Sequence, residues 1–264
     1  MPELPEVETV VRTLEPHLLG RRIVTAAFSS RFVTPGNRKT LAKRLAGRTI
    51  QSVRRRGKFI VIALDGGSLT VHLGMTGRLL LDAPPEKHTY GIFLFDPGTL
   101  DPGTLVYNDP RQFGRILWNH DLSRLGPEPL EIGIAEFKAR MKKRKTSIKA
   151  LLLNQTFLAG MGNIYVDETL FAARVHPRAV ASRLSAPRVA AIHQHMREIL
   201  SAAIRQGGSS ISDYVDAQGN RGWFQLQHQA YGREGEPCPV CGTPIRKTIV
   251  VQRGTHYCPR CQRR

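Results

Sequence analysis

The sequence predicts an α+β protein: an N-terminal β-sandwich with a flanking helix, a helical second part, and a small cysteine module closing the chain. Three observations carry this. Short β-rich runs follow one another at close spacing as far as Trp118, the pattern of a sandwich or barrel. Around Gly126-Pro127-Glu128-Pro129 the texture changes from strand to helix, which marks a domain boundary. All four cysteines then fall in two CxxC pairs near the C-terminus.

The first element is a helix over residues 5–19, because Val7, Val10, Val11, Leu14 and Leu18 recur at helical spacing. Pro5 suits its first turn, and Glu6 and Glu8 suit its positive end. Pro16 fits poorly and is expected to end or bend it. Strands are expected over 58–64 and 68–73, joined by the turn Asp65-Gly66-Gly67. Runs 90–95, 104–107 and 115–118 continue the pattern. A tandem repeat, Asp-Pro-Gly-Thr-Leu at 96–100 and again at 101–105, is too short for a solenoid unit and reads as a lengthened hairpin loop. Helical patterns cover 135–142, 147–153, 163–173 and 185–206, and polar, glycine-rich stretches at 207–210 and 216–222 read as flexible loops.

With 41% hydrophobic residues, the 264-residue chain has material for a real core. Its net charge of +18 favours an anionic partner, with nucleic acid ahead of a ribosomal or membrane-surface role. The cations cluster at 54–58, at 138–149 and at 246–264, the last two without an acid. Any one such run reads as a solvated face, but three together suggest a surface that tracks phosphates. The N-terminus is acidic and lacks an apolar segment, and the longest apolar run, 59–64, is too short for a bilayer. A cytoplasmic, reducing location is therefore expected, with no membrane.

Cys238-Pro239-Val240-Cys241 and Cys258-Pro259-Arg260-Cys261 are separated by 16 residues. Each pair places two thiolates on one small turn, and two turns make a tetrahedral sulfur site. One zinc ion is expected; two disulfides are the alternative that a reducing compartment disfavours. Four sulfurs leave no open coordination position, so the metal is structural. His256 nearby reads as a surface histidine.

The opening Met1-Pro2-Glu3-Leu4-Pro5-Glu6-Val7-Glu8 resembles the start of the formamidopyrimidine-DNA glycosylase family, bacterial enzymes that remove oxidised purines. Further matches are Arg56-Gly57-Lys58, His72-Leu73-Gly74-Met75-Thr76-Gly77, Asp109-Pro110-Arg111-Gln112-Phe113-Gly114, Gly160-Met161-Gly162-Asn163-Ile164-Tyr165 and Tyr231-Gly232-Arg233, followed by the cysteine module. The resemblance covers essentially the whole chain. It implies a catalytic β-sandwich over 1–126, a helix-two-turn-helix domain over 127–231 with a base-covering loop near 216–224, and a zinc finger with a β-hairpin over 232–264.

It also implies roles. Removal of Met1 would expose the secondary amine of Pro2 as a nucleophile, with Glu3 moving protons beside it. Lys58 would contact a phosphate near the lesion, and Asn163 and Arg253 would hold flanking phosphates; Lys149 matches a basic position in the same helical element. Met75, Arg111 and Phe113 match residues that fill the gap left by a flipped base. Gln112 stands where the family commonly has a second arginine. Without the resemblance, Pro2 and Glu3 would be an ordinary helix lead-in, Met75 and Phe113 core, and Lys58 and Arg111 surface charges. The expected partner is damaged double-stranded DNA, bound by a monomer with no obligatory protein partner. A relative preferring oxidised pyrimidines, and a non-catalytic zinc-dependent DNA-binding protein, are the competing readings. The second explains the charge and the cysteines, but not Pro2-Glu3, Lys58 and the wedge together.

Overall fold

A computed structural model describes residues 1–97, 103–211 and 213–263. Their contacts divide into two units, Met1–Ser123 with Gln206–Trp223, and Arg124–Arg205 with Phe224–Arg264.

The first unit opens with α1 (Leu4–Leu18), which starts where it does because Glu3 and Glu6 close a capping box and Pro5 occupies the first turn. Pro16 lies inside the helix, which ends two residues beyond it. Leu4, Val7, Val10, Val11, Leu14 and Leu18 form its buried stripe. Then come β1 (Ile23–Phe28), α2 (Arg38–Leu45), β2 (Ile50–Arg56), β3 (Phe59–Leu64), β4 (Gly67–His72), β5 (Arg78–Leu81), β6 (Thr89–Phe95), β7 (Thr104–Asn108) and β8 (Arg115–Trp118). They form two four-stranded antiparallel sheets, ordered β1-β6-β7-β5 and β2-β3-β4-β8. One core joins them: Val53, Ile60, Ile62, Val71 and Ile116 from one sheet, Ile23, Phe93, Leu105 and Tyr107 from the other, and Val7, Val10, Val11, Leu14 and Leu18 of α1. Full burial of each such aliphatic or aromatic side chain contributes about 1.5–3 kcal/mol.

Four of these elements, β1, α2, β2 and β5, escape the sequence patterns. β2 ends in three arginines and buries only Ile50 and Val53, while α2 is strongly basic and buries only Leu41 and Leu45. Their apolar signal is two residues deep, and tertiary pairing decides them. Residues 98–102, the middle of the tandem repeat read as a hairpin loop, lie outside the described residues; the repeat starts after β6, and its last two residues, Thr104 and Leu105, open β7.

The segment 206–223, which the sequence reading joined to the helical domain, clusters with the first unit. The hydrogen bonds give the reason. Tyr214 donates to the Glu6 carbonyl at 3.2 Å, Ala217 N–H to the Thr13 hydroxyl at 3.2 Å, and Leu81 N–H to the Ala217 carbonyl at 2.9 Å. Nor are its two stretches loose loops. Asp216 accepts from the backbone of Gln218 and Asn220, at 2.9 and 2.8 Å, and Ser209 N–H is held by Glu6.

The second unit contains α3 (Ile134–Met141), α4 (Ile148–Leu153), α5 (Asn163–Ala172), α6 (Ala186–Arg205) and the antiparallel pair β9 (Arg246–Val250) and β10 (Arg253–Tyr257). Ser147 caps α4 by accepting from Ala150 N–H at 3.3 Å. Between α4 and α5 the chain makes tight turns: the Asn154 carbonyl accepts from Phe157 and Leu158, and the Gln155 amide bonds Leu153, Gly160 and Met161. This is the helix-two-turn-helix. Residues Ile164–Phe171 of α5 are all buried, so this helix runs through the middle of its unit. Among the described residues, no helix is long and apolar enough to cross a membrane.

Candidate active site and nucleic-acid interface

The start of α1 gathers two buried carboxylates. Pro2 is buried, and Glu3 and Glu6 are 3% and 1% exposed. Glu6 ties both neighbours: it accepts from Glu3 N–H at 2.8 Å through Oε2 and from Ser209 N–H at 2.7 Å through Oε1. The sequence placed Glu6 at the positive end of the helix; the structure has it both capping the helix and holding Ser209. Gly208 makes this possible, since its φ is +78° and an added Cβ would sit 2.7 Å from Glu6 Oε1. With Met1 present the Pro2 nitrogen is an amide; removing Met1 turns it into a secondary amine.

Lys58 follows Gly57, in the turn between β2 and β3, and is 7% exposed. Just before it, Arg55 donates to Glu8 at 2.9 Å, pinning the end of β2 to α1. Burial pushes the Glu8 carboxyl up, but Arg12 and Arg55 together outweigh this and hold it below its ordinary value. His72 stays neutral, lowered to about 4 by burial and by the charges of Lys58 and Arg115. As a neutral ring it accepts the Gly74 N–H at Nδ1, 3.1 Å away, which orients the turn that presents Met75.

Met75, Arg111 and Phe113 come from two loops that touch. Met75 is 40% exposed and Phe113 51%, so neither belongs to the core. The Arg111 guanidinium lies 4.6 Å from the centre of the Phe113 ring. A Cβ on Gly74 would lie 2.6 Å from the Phe113 carbonyl carbon, so the two backbones are in contact. The sequence missed the group that binds the loops: Asp109, fully buried, accepts from the Thr76 hydroxyl at 2.6 Å, Gly114 N–H at 2.8 Å and Arg111 N–H at 3.3 Å. Its place in the 109–114 motif was visible, its work was not.

In the second unit, Lys149 and Asn163 converge on one atom, donating to the Gly254 carbonyl at 3.2 and 2.9 Å. That carbonyl follows Arg253, which is exposed at the first position of β10. Lys149 was expected among the DNA contacts; in the structure its side chain is 0% exposed and its ammonium is 2.6 Å from Asp167. It also braces the hairpin that carries Arg253. His256 is likewise buried, not superficial, and its N–H reaches Asp167 at 2.9 Å.

The four cysteines are free thiols, not disulfides. Their sulfurs all lie within 4.8 Å of one another, with Cys238–Cys261 at 3.9 Å and Cys241–Cys258 at 3.5 Å. Zinc–sulfur bonds of about 2.3 Å in a tetrahedron require sulfur separations of about 3.8 Å, so the donor set fits one structural zinc.

A helix-two-turn-helix and a four-cysteine hairpin in one unit, with paired buried carboxylates at a helix start in the other, are the arrangement of a class of DNA-repair glycosylases. Within that class, the chain belongs to the formamidopyrimidine-DNA glycosylase family. Models of this family's N-terminal domain and H2TH domain match residues 1–116 and 125–215, and the zinc finger found in FPG and IleRS matches 235–264. The formamidopyrimidine-DNA glycosylase of Solibacter usitatus is 53% identical over the full length of both chains, and that of Geobacillus kaustophilus 44%, again over both full lengths. Among solved structures, a Lactococcus lactis FPG mutant in complex with Fapy-dG containing DNA matches with a TM-score of 0.89 at 38% identity, covering 100% of both chains. The MutM (FPG) protein of Thermus thermophilus matches with a TM-score of 0.88 at 40% identity, covering 99% of this chain and 98% of that one.

Proposed function

We propose that this glycosylase excises oxidised purines from duplex DNA and then cuts the backbone at the resulting abasic site. The observation that supports it most is the buried Pro2-Glu3 pair, held at the start of α1 by the Glu3–Glu6 bond of 2.8 Å. Once Met1 is removed, the Pro2 amine attacks C1′ of the damaged nucleotide, and the base leaves with the C1′–N bond pair. Glu3 supplies the proton that the departing base needs and later takes protons back. The sugar opens to an iminium on Pro2, which draws electrons from C2′ and lets its proton go. The 3′ phosphate then leaves by β-elimination and the 5′ phosphate by δ-elimination. Lys58, Asn163 and Arg253 hold backbone phosphates, and the loop at 216–224 covers the extruded base. Met75, Arg111 and Phe113 occupy the gap left in the stack, offsetting an unstacking cost of a few kcal/mol.

Borohydride trapping tests this reading on a duplex carrying 8-oxoguanine opposite cytosine, with an oxidised pyrimidine duplex run beside it. The expected result is a covalent adduct mapping to the N-terminal peptide, formed faster on the purine lesion and absent when Met1 is retained. An adduct on Lys58 would move the nucleophile, and active excision without any trappable intermediate would remove the imine. Preference for the pyrimidine duplex would leave the chemistry but overturn the substrate.

A further inference from the structure

The loop from β7 to β8 carries Arg111 and Phe113 on either side of Gln112, whose φ of 54° lies in the left-handed region. For a residue with a side chain, that conformation is strained and persists only if its surroundings enforce it. Two groups do so. Ser30, buried at 6% exposure, accepts the N–H groups of Phe32 and Val33 at 3.1 and 3.2 Å, which fills the lone pairs of its hydroxyl. The hydroxyl proton goes to Gln112 Oε1, 2.5 Å away. On the other side, the backbone of residue 112 donates to the Asp109 carbonyl at 3.1 Å, while the Asp109 carboxylate holds residues 111 and 114.

The Ser30 arrangement needs an acceptor at position 112. Arginine carries only donors, so the side chain common at this point of the family motif could not complete it. We propose that Gln112 is a positioning residue: its bond to Ser30, together with Asp109, pre-sets Arg111 and Phe113 for insertion into the duplex. A wedge already ordered in the free protein loses less conformational freedom on binding. The inference rests on the gap-filling role given to these residues under Proposed function.

The test compares excision of 8-oxoguanine from a duplex with cutting of a pre-formed abasic site in a single strand, where nothing has to be flipped. Gln112→Gly removes both the clamp and the strain, and Gln112→Met removes the acceptor at similar size. Both should lower the duplex-to-abasic ratio by about tenfold. Gln112→Gly should do so with a melting temperature no lower than that of the parent, which a merely structural role would not produce. Ser30→Ala should lower the ratio similarly, and the Ser30→Ala/Gln112→Met double variant should fall no further. An unchanged ratio in the Gln112 variants overturns the proposal. Phe113→Ala separates the layers: a reduced ratio there, without one in the Gln112 variants, sinks the clamp alone. An unchanged ratio in Phe113→Ala sinks the gap-filling reading and the clamp with it.

Discussion

Lys149 and Asp167 meet at 2.6 Å with neither side chain reaching solvent. Such a pair is costly to bury, and what recommends it here is geometry: the ammonium also holds the Gly254 carbonyl, and the carboxylate also holds His256 N–H. Helices α4 and α5 and strand β10 thus share one charge pair. Removing one partner should be worse than removing the charge from both. Lys149→Met should destabilise the protein by about 3–5 kcal/mol, because a buried carboxylate is left alone. Lys149→Met with Asp167→Asn should recover part of that loss, since the amide keeps an acceptor for His256 without the charge. Urea unfolding of the two variants checks the order, and equal losses would mean that packing, not charge, holds the site.

At the scale of elements, the hairpin of β9 and β10 is the one that cannot stand by itself. It has two strands of five residues, and the buried cluster beneath it is small: Phe171, Ala230, Cys238, Ile245 and Cys258. A lone two-stranded hairpin is marginal in water, so metal binding supplies folding energy here. Stripping zinc with a chelator should expose the amides of residues 238–261 to hydrogen exchange, while the two sheets of the first unit stay protected. Affinity for damaged duplex should fall in the same preparation. Retained protection or retained affinity would show that the hairpin holds without its metal.

Across the whole molecule, 39 lysines and arginines stand against 21 acids. An excess of this size makes affinity for DNA depend steeply on salt, because each phosphate neutralised releases counterion. The individual cations divide by burial into those that face outward, such as Arg253, and those already engaged inside, such as Lys149. Arg253→Ala should lower the slope of log affinity against log salt by about one and weaken all sequences alike. A slope unchanged by that substitution would take Arg253 out of the phosphate contacts.

Much of this was legible from the amino acids alone. The α1 stripe, the hairpin at Asp65-Gly66, the helices of the second unit and the four cysteines are local patterns: periodicity, turn chemistry and metal spacing act within a few residues. So were Pro2-Glu3 and the 72–77 and 109–114 motifs, whose order along the chain carries the family. What only the tertiary structure decided depends on distant partners. Strands β1, β2 and β5 have too few buried side chains to declare themselves and exist because neighbouring strands pair with them. The 206–223 segment follows a helix of the second unit in sequence, yet Glu6, Thr13 and Leu81 supply the bonds that keep it in the first. Lys149 reads as one more cation in a basic run until Asp167, 18 residues away, buries it. Gln112 reads as a missing arginine until Ser30 gives its carbonyl a proton to accept. Residue type sets which bonds a side chain is able to make, and the fold alone sets which partner is within reach.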